Sequence, residues 1–279
     1  MKKIIVAIDG LNYKPETVEF AITMANHLQG HLVGIFLNDR TYHSYKMYSV
    51  DAGKIMTDKE IEVAEAKDLS LRKGAMQKFE EACKLHRRPF SIRENKNIAL
   101  PELIHESIYA DLLIINSGEQ FTHYIENRPS AFLRNLLEAV KCPVILAPDQ
   151  YHTVKKAILL YDGTPESVHA IKTFCFIMAG FKTLQIEVLS VKKQSQSLHL
   201  PDNKLLKEYL KRHYPRAIYT VCKGDAETKI PALIKKEDGG TLVVSGAYNR
   251  GYISRWFRPS MADILLSTVK SPLFISPVK

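Results

Sequence analysis

Tryptophan occurs once in this 279-residue chain, and cysteine four times. The thiols Cys83, Cys142, Cys175 and Cys222 lie far apart with no C-x-x-C pair. That spacing excludes a disulfide scaffold and implies reduced, mostly buried thiols of a cytoplasmic protein. No stretch approaches the ~18 apolar residues a membrane-spanning helix needs. Five apolar residues from Ile4 to Ile8 are too few for a signal-peptide core. Also missing are G-x-x-x-x-G-K-[ST], G-x-S-x-G and H-E-x-x-H, the spacings that mark a P-loop, a nucleophile elbow and a zinc protease. His27 and His31 have helical spacing, but Gly30 between them reads as a helix end, so a structural role is expected of both. What is present is an ordinary globular composition, 46% hydrophobic and 25% charged, over a length that suits two domains or one large one. The one unusual number is a net charge of +9, which points to an anionic partner. It is unevenly placed. Residues 1–150 hold 19 Lys+Arg and 20 Asp+Glu, so the whole surplus belongs to the C-terminal half.

The chain is written twice. Lys3 to Gly10 (KIIVAIDG) returns as Lys156 to Gly163 (KAILLYDG), and Pro101 to Ile104 as Pro231 to Ile234. Leu113 to Gly118, ending Ser-Gly, matches Thr241 to Gly246 with the same ending. Arg128-Pro129-Ser130 returns as Arg258-Pro259-Ser260, and Lys141 to Pro148 as Lys270 to Pro277. The pattern predicts two domains, 1–150 and 154–279, with about two dozen extra residues in the first copy between its second and third strands, somewhere in 38–90.

Within each copy, Ile/Val/Leu runs (4–8, 32–37, 112–116 and 144–147 in the first) read as strands buried on both faces. Pro15 to Gly30 and Pro165 to Gly180 read as helices, with Pro at the start and Gly at the end. A long charge-laced helix is predicted from Asp58 to Leu85. Alternating β and α implies an α/β fold with a doubly wound parallel sheet in each copy.

Ligands of such sheets sit beyond the carboxyl ends of the strands. The candidate site residues are therefore Asp9, Gly10, Gly118 and Ser130 in the first copy, and Asp162, Gly163, Ser245, Gly246 and Ser260 in the second. Ser130 and Ser260 open the last helix, whose N-terminus offers free N–H groups to an anion. Each feature also has a plain reading: Asp-Gly as a turn, Arg-Pro-Ser as a helix start, Ser-Gly as a tight loop. Duplication alone would preserve all of them.

On these residues, with the closing strand Pro143 to Pro148, the chain resembles the universal stress protein family, as a tandem member. The resemblance implies five strands per copy in the order 3-2-1-4-5 and an intramolecular pseudo-dimer formed by pairing the two last strands; a homodimer is the further oligomer it suggests. ATP-binding members carry G-x2-G-x9-G-[ST] after strand 4. Fitted to that pattern, the second copy begins at Gly246, has Asn249 and Pro259 at the later glycine positions, and ends on Ser260; Gly251 lies two residues late. The first copy begins at Gly118, has Phe121 at the second position and reaches Pro129-Ser130 early. Glycines let a phosphate loop adopt φ > 0 and approach the ligand; Asn tolerates that geometry, Phe does so poorly, and Pro has no N–H to donate. The pattern is degraded in both copies. In the second, Arg250, Arg255 and Arg258 offset the loss, since arginines beside a helix start bind phosphate or carboxylate without glycines. The other reading packs Trp256 and Phe257 inward and leaves those arginines solvated.

Three functions remain in competition: binding of a nucleotide such as ATP or another small phosphorylated anion, in the second copy only; a scaffold acting through protein partners or dimerisation; and a weak ATP hydrolase, for which no catalytic set is visible. No metal ligand set is assigned. Nucleic-acid binding is not expected, because no helix-turn-helix, zinc knuckle or RNP motif accompanies the basic residues. A membrane role lacks a basic amphipathic helix.

Overall fold

The computed structural model describes residues 1–37, 57–95, 98–121, 126–195, 197–237, 239–246 and 261–277. In the first half, β1 (Lys3–Asp9), α1 (Pro15–Leu28), β2 (His31–Leu37), α2 (Asp58–Leu85), β3 (Phe90–Asn95), α3 (Ala99–Ser107), β4 (Leu112–Asn116), α4 (Ala131–Ala139) and β5 (Val144–Ala147) alternate as the apolar runs predict. The second half repeats this with β6 (Lys156–Leu160), α5 (Pro165–Ile177), β7 (Gln185–Lys192), α6 (Asn203–His213), β8 (Ile218–Lys223), α7 (Ala226–Ile234), β9 (Thr241–Ser245), α8 (Met261–Thr268) and β10 (Leu273–Ile275).

All ten strands form one sheet in the order β3-β2-β1-β4-β5-β10-β9-β6-β7-β8. Each half thus has the 3-2-1-4-5 order, with its own strands parallel. The halves join by antiparallel pairing of β5 with β10, Ile145 opposite Phe274. Because the join is antiparallel, the carboxyl ends of the first half's strands lie beside the amino ends of the second half's. The central strands are buried on both faces, so each face carries its own core. On one face α1, α2, α5 and α6 contribute Phe20, Phe79, Phe174 and Leu210 to a core shared by both halves. The opposite face collects Leu103, Leu133, Ile230 and Leu265 from α3, α4, α7 and α8. Gly34 of β2 makes room for Phe79; a Cβ there would lie 2.8 Å from its ring.

Two sequence readings need correction. Helix α1 ends on Gln29, which takes the left-handed conformation at φ 50°, and not on Gly30. Gly30 is required for close approach, since a Cβ there would stand 2.6 Å from Ile4 Cδ1. His27 stacks on Phe181 of the second half at 3.8 Å, while His31 bonds Ser91, so the two imidazoles hold no common metal. The second correction concerns register. Pairing to β1 and β6 places Ile114 in the position of Val244, an offset of 130 residues. The flanking blocks at Pro101/Pro231 and Pro129/Pro259 share that offset. Matching Ser117-Gly118 to Ser245-Gly246 is therefore two residues out: Gly246 corresponds to Asn116.

The first half's extra length goes partly into α2, 28 residues against 11 in α6. Its start is fixed by a capping box, in which Thr57 accepts from Glu60 N–H and Glu60 accepts from Thr57 N–H. No helix among the described residues is long and apolar enough to cross a membrane.

Candidate functional site

Register changes the reading of the first copy. Starting from Asn116, the positions of the glycine pattern fall on Asn116, Glu119, Pro129 and Ser130, with no gap or early arrival. Glycines two and three have become a carboxylate and a proline.

The first copy's strand-end cleft is filled by its own side chains. Asp9 leaves β1 buried, 3% exposed, and accepts a bond from Leu11 N–H at 2.8 Å. Lys14 closes the stretch from Asp9 to Pro15, three residues longer than that from Asp162 to Pro165, and donates from Nζ to Asn116 Oδ1 at 2.7 Å. Asn116 Oδ1 also accepts from Gly118 N–H at 2.8 Å, and its Nδ2 donates to Thr17 Oγ1 at 3.1 Å. Glu119 is 5% exposed, and burial together with the charge of Asp9 pushes its carboxyl up to about 7, with Lys14 pulling the other way. What remains between Asp9, Lys14, Asn116 and Glu119 is a cavity of about 10 Å³, room for one water.

The start of α4 is also occupied. Ser130 is its N-cap, accepting from Leu133 N–H at 3.2 Å and donating to the Glu119 carbonyl at 2.5 Å. Ala131 N–H, a group an anion would use, is taken by the Glu126 carboxylate at 2.5 Å. Arg128 lies over Gly118, where a Cβ would come within 2.6 Å of Nη2, and pairs with Asp149 Oδ2 at 2.6 Å. Burial alone would raise the Asp149 carboxyl, but Arg128 and Lys14 hold it below its ordinary value. Phe121 does adopt φ 49°, as a phosphate-loop glycine would, with its ring 4.7 Å from that of Phe132. Gly10 faces Arg72 of α2, whose Cγ would lie 3.0 Å from an added Cβ.

In the second copy the same strand end is built differently. Asp162 is exposed, and its Oδ1 accepts from Thr164 N–H at 2.9 Å and Thr164 Oγ1 at 2.7 Å. Burial alone would raise its carboxyl, but these bonds hold it below the ordinary carboxylate value. Gly163 has φ 92°, and a Cβ there would sit 2.6 Å from Pro201, so glycine is required twice over. Thr164 caps α5 by accepting from Ser167 N–H at 3.3 Å. Gly246 rests on the first turn of α5, where an added Cβ would lie 3.1 Å from the Glu166 carbonyl. Ser245 is 8% exposed at the end of β9. Asn249, Arg250, Gly251, Arg258 and Ser260, with Arg255 and Trp256, lie outside the described residues.

Sequence reasoning misses Lys14, Asn116, Glu119, Glu126 and Asp149. A signal exists for two of them: a constant offset of 130 on both sides of β4 puts Asn116 and Glu119 at the glycine positions. Among the described residues no cluster of three or more His, Cys, Asp or Glu could hold a metal.

Neither a protein-family model nor a curated relative matches the sequence. Solved structures do match in shape. A universal stress protein from Archaeoglobus fulgidus superposes with a TM-score of 0.69 at 12% identity, covering 99% of this chain and 98% of that one. A functionally unknown protein from Pseudomonas aeruginosa gives 0.58 at 14%, covering 99% and 92%. The cytoplasmic domain of a prokaryotic cation chloride cotransporter gives 0.50 at 9%, covering 99% and 95%. At such identities the likeness shows the fold: the chain has the tandem α/β fold of universal stress proteins over nearly its whole length.

Proposed function

We propose that the chain is a tandem member of the universal stress proteins, with units 1–150 and 154–279, and that it binds one small phosphorylated anion, a nucleotide such as ATP being the first choice, in the second unit. Asp162, Gly163, Ser245 and Gly246 would form one side of that site, and Asn249, Arg250, Gly251, Arg258 and Ser260 the other. The observation that carries this reading is the contrast between the two strand ends. In the first, buried carboxylates of Asp9 and Glu119 stand beside a one-water cavity, and Glu126 already occupies the α4 N-terminus. A phosphate would find no room there and would have to displace a satisfied network. In the second, the aspartate is exposed, and the loop that follows β9 starts from a glycine and carries arginines with no acid between Asp238 and Asp263.

Thermal melting with and without ATP tests it. The expected result is a stabilisation that disappears in Arg258→Ala and in Asp162→Ala, by the usual linkage of binding to unfolding. No shift with any nucleotide would favour the scaffold reading, which the closed first site already suits. Hydrolysis in the same samples, absent from Asp162→Ala, would add the third reading to the first.

A further inference from the structure

A second recess lies at the seam of the two halves. It has a volume of about 540 Å³ and is lined by both of them. One wall comes from the first half and the linker after it: Arg128, Asp149 and His152. The other comes from the turns that follow α7 and α8 in the second, and carries Lys235, Glu237 and Lys270. This juxtaposition follows from the antiparallel β5–β10 join, which sets the carboxyl edge of one half beside the amino edge of the other.

The charges on the walls are not balanced. Asp149 is held by Arg128 at 2.6 Å, and Glu237 shares Lys156 with Glu187, each at 2.8 Å. The lining thus carries three cations, Arg128, Lys235 and Lys270, against two carboxylates, and among the described residues Lys235 and Lys270 make no ion pair. Both follow helix C-termini, where a lysine also complements the helix dipole, so their charge alone would decide nothing. Their convergence on a recess of small-molecule size does. Ser117, Thr268 and Ser271 add hydroxyls to the same lining, beside the apolar side chains of Pro148, Ile234 and Val269. The base is fixed by His152, whose ring sits so close to Gly239 that an added Cβ would collide with it.

We infer that this seam is a binding site for a small polyanion with several phosphate-like charges, held between the lysines of the second half and the polar wall of the first. Such a ligand bridges the two halves, so its binding ties them together in a way that occupation of a single strand-end cleft does not. A bare polyphosphate chain and the phosphate tail of a nucleotide share the required chemistry.

Calorimetric titration of the full-length protein with sodium tripolyphosphate at low salt tests this. One ion per chain is expected at the seam, retained in Asp162→Ala and weakening as salt is raised; a further ion bound at the strand end of the second unit would be lost in that variant. Lys235→Ala/Lys270→Ala should weaken binding about tenfold or more, the effect of losing charge-assisted contacts. Both lysines are exposed, so melting of this variant should match wild type. Asp162→Ala should leave the affinity unchanged, which separates this site from the one proposed above. ATP in place of tripolyphosphate, added to the Asp162→Ala protein, shows whether the nucleotide tail also enters the seam. No binding of tripolyphosphate, an unchanged double variant, or loss of binding in Asp162→Ala would each overturn the inference.

Discussion

Asp9 and Asp162 occupy the same place in a duplicated fold and live in opposite surroundings. Asp9 is 3% exposed and sits beside a second buried carboxylate, whereas Asp162 is exposed and held by the backbone and hydroxyl of Thr164. The cause is local. The first copy's longer β1–α1 loop brings Lys14 back over the strand ends, and a lysine among carboxylates and an asparagine closes the cleft with polar bonds. The second copy goes from Asp162 to Pro165 in three steps, so Gly163 takes φ 92° and the loop has no lysine to return over the strands. One duplicated strand end has become a self-satisfied network, and the other has kept a glycine at positive φ, where a side chain would be strained.

The largest effect is expected where that strain lies. Gly163→Ala must place a Cβ at positive φ and against Pro201, and should cost on the order of 3 kcal/mol in denaturant unfolding. Gly10→Ala, with φ outside that region and a contact of 3.0 Å to Arg72 Cγ that a shift of a few tenths of an ångström relieves, should cost about 1 kcal/mol. Equal costs would break the comparison.

Next comes the buried acid of the first copy. The folded-state carboxyl of Glu119 is raised from 4.5 to about 7, so the native state holds the proton over the intervening range. Stability is fully present below the unfolded value and should fall as pH rises from there through 7, by on the order of 3 kcal/mol. Glu119→Gln should flatten that slope and melt higher at about pH 8, above both values. A slope that survives the substitution would assign the titration elsewhere.

The smallest effect concerns the helix start. Ser130→Ala removes the N-cap of α4 and the bond to the Glu119 carbonyl, at a cost of about 1 kcal/mol by chemical denaturation. No change would mean that Glu126 alone satisfies the first turn.

Much of the fold is legible because strands buried on both faces give unbroken apolar runs, and because Pro15, Pro165 and Asp58 mark helix starts that the structure keeps. The two halves and their 3-2-1-4-5 order follow from the repeat and the family resemblance. Register is misread at β4 and β9 because Ser-Gly ends both matched stretches by coincidence. Hydrogen-bonded pairing to β1 and β6 shows that Asn116, and not Gly118, answers Gly246, in agreement with the constant offset of 130 in the flanking blocks. The closure of the first cleft is hidden for another reason. Lys14, Glu119 and Asp149 are far apart in sequence, and their meeting depends on how loops return over the sheet. At the end of α1, residue type points to Gly30 for the left-handed position, while crowding at Ile4 is what that glycine serves.

Which strand end takes a ligand is the central question, and calorimetric titration of ATP answers it most directly. The Lys235→Ala/Lys270→Ala background silences the seam, and it is compared with the same background carrying Asp9→Asn or Asp162→Ala. One ATP per chain, kept in Asp9→Asn and lost in Asp162→Ala, is the predicted result. Two per chain, or one that Asp9→Asn abolishes and Asp162→Ala spares, would contradict it.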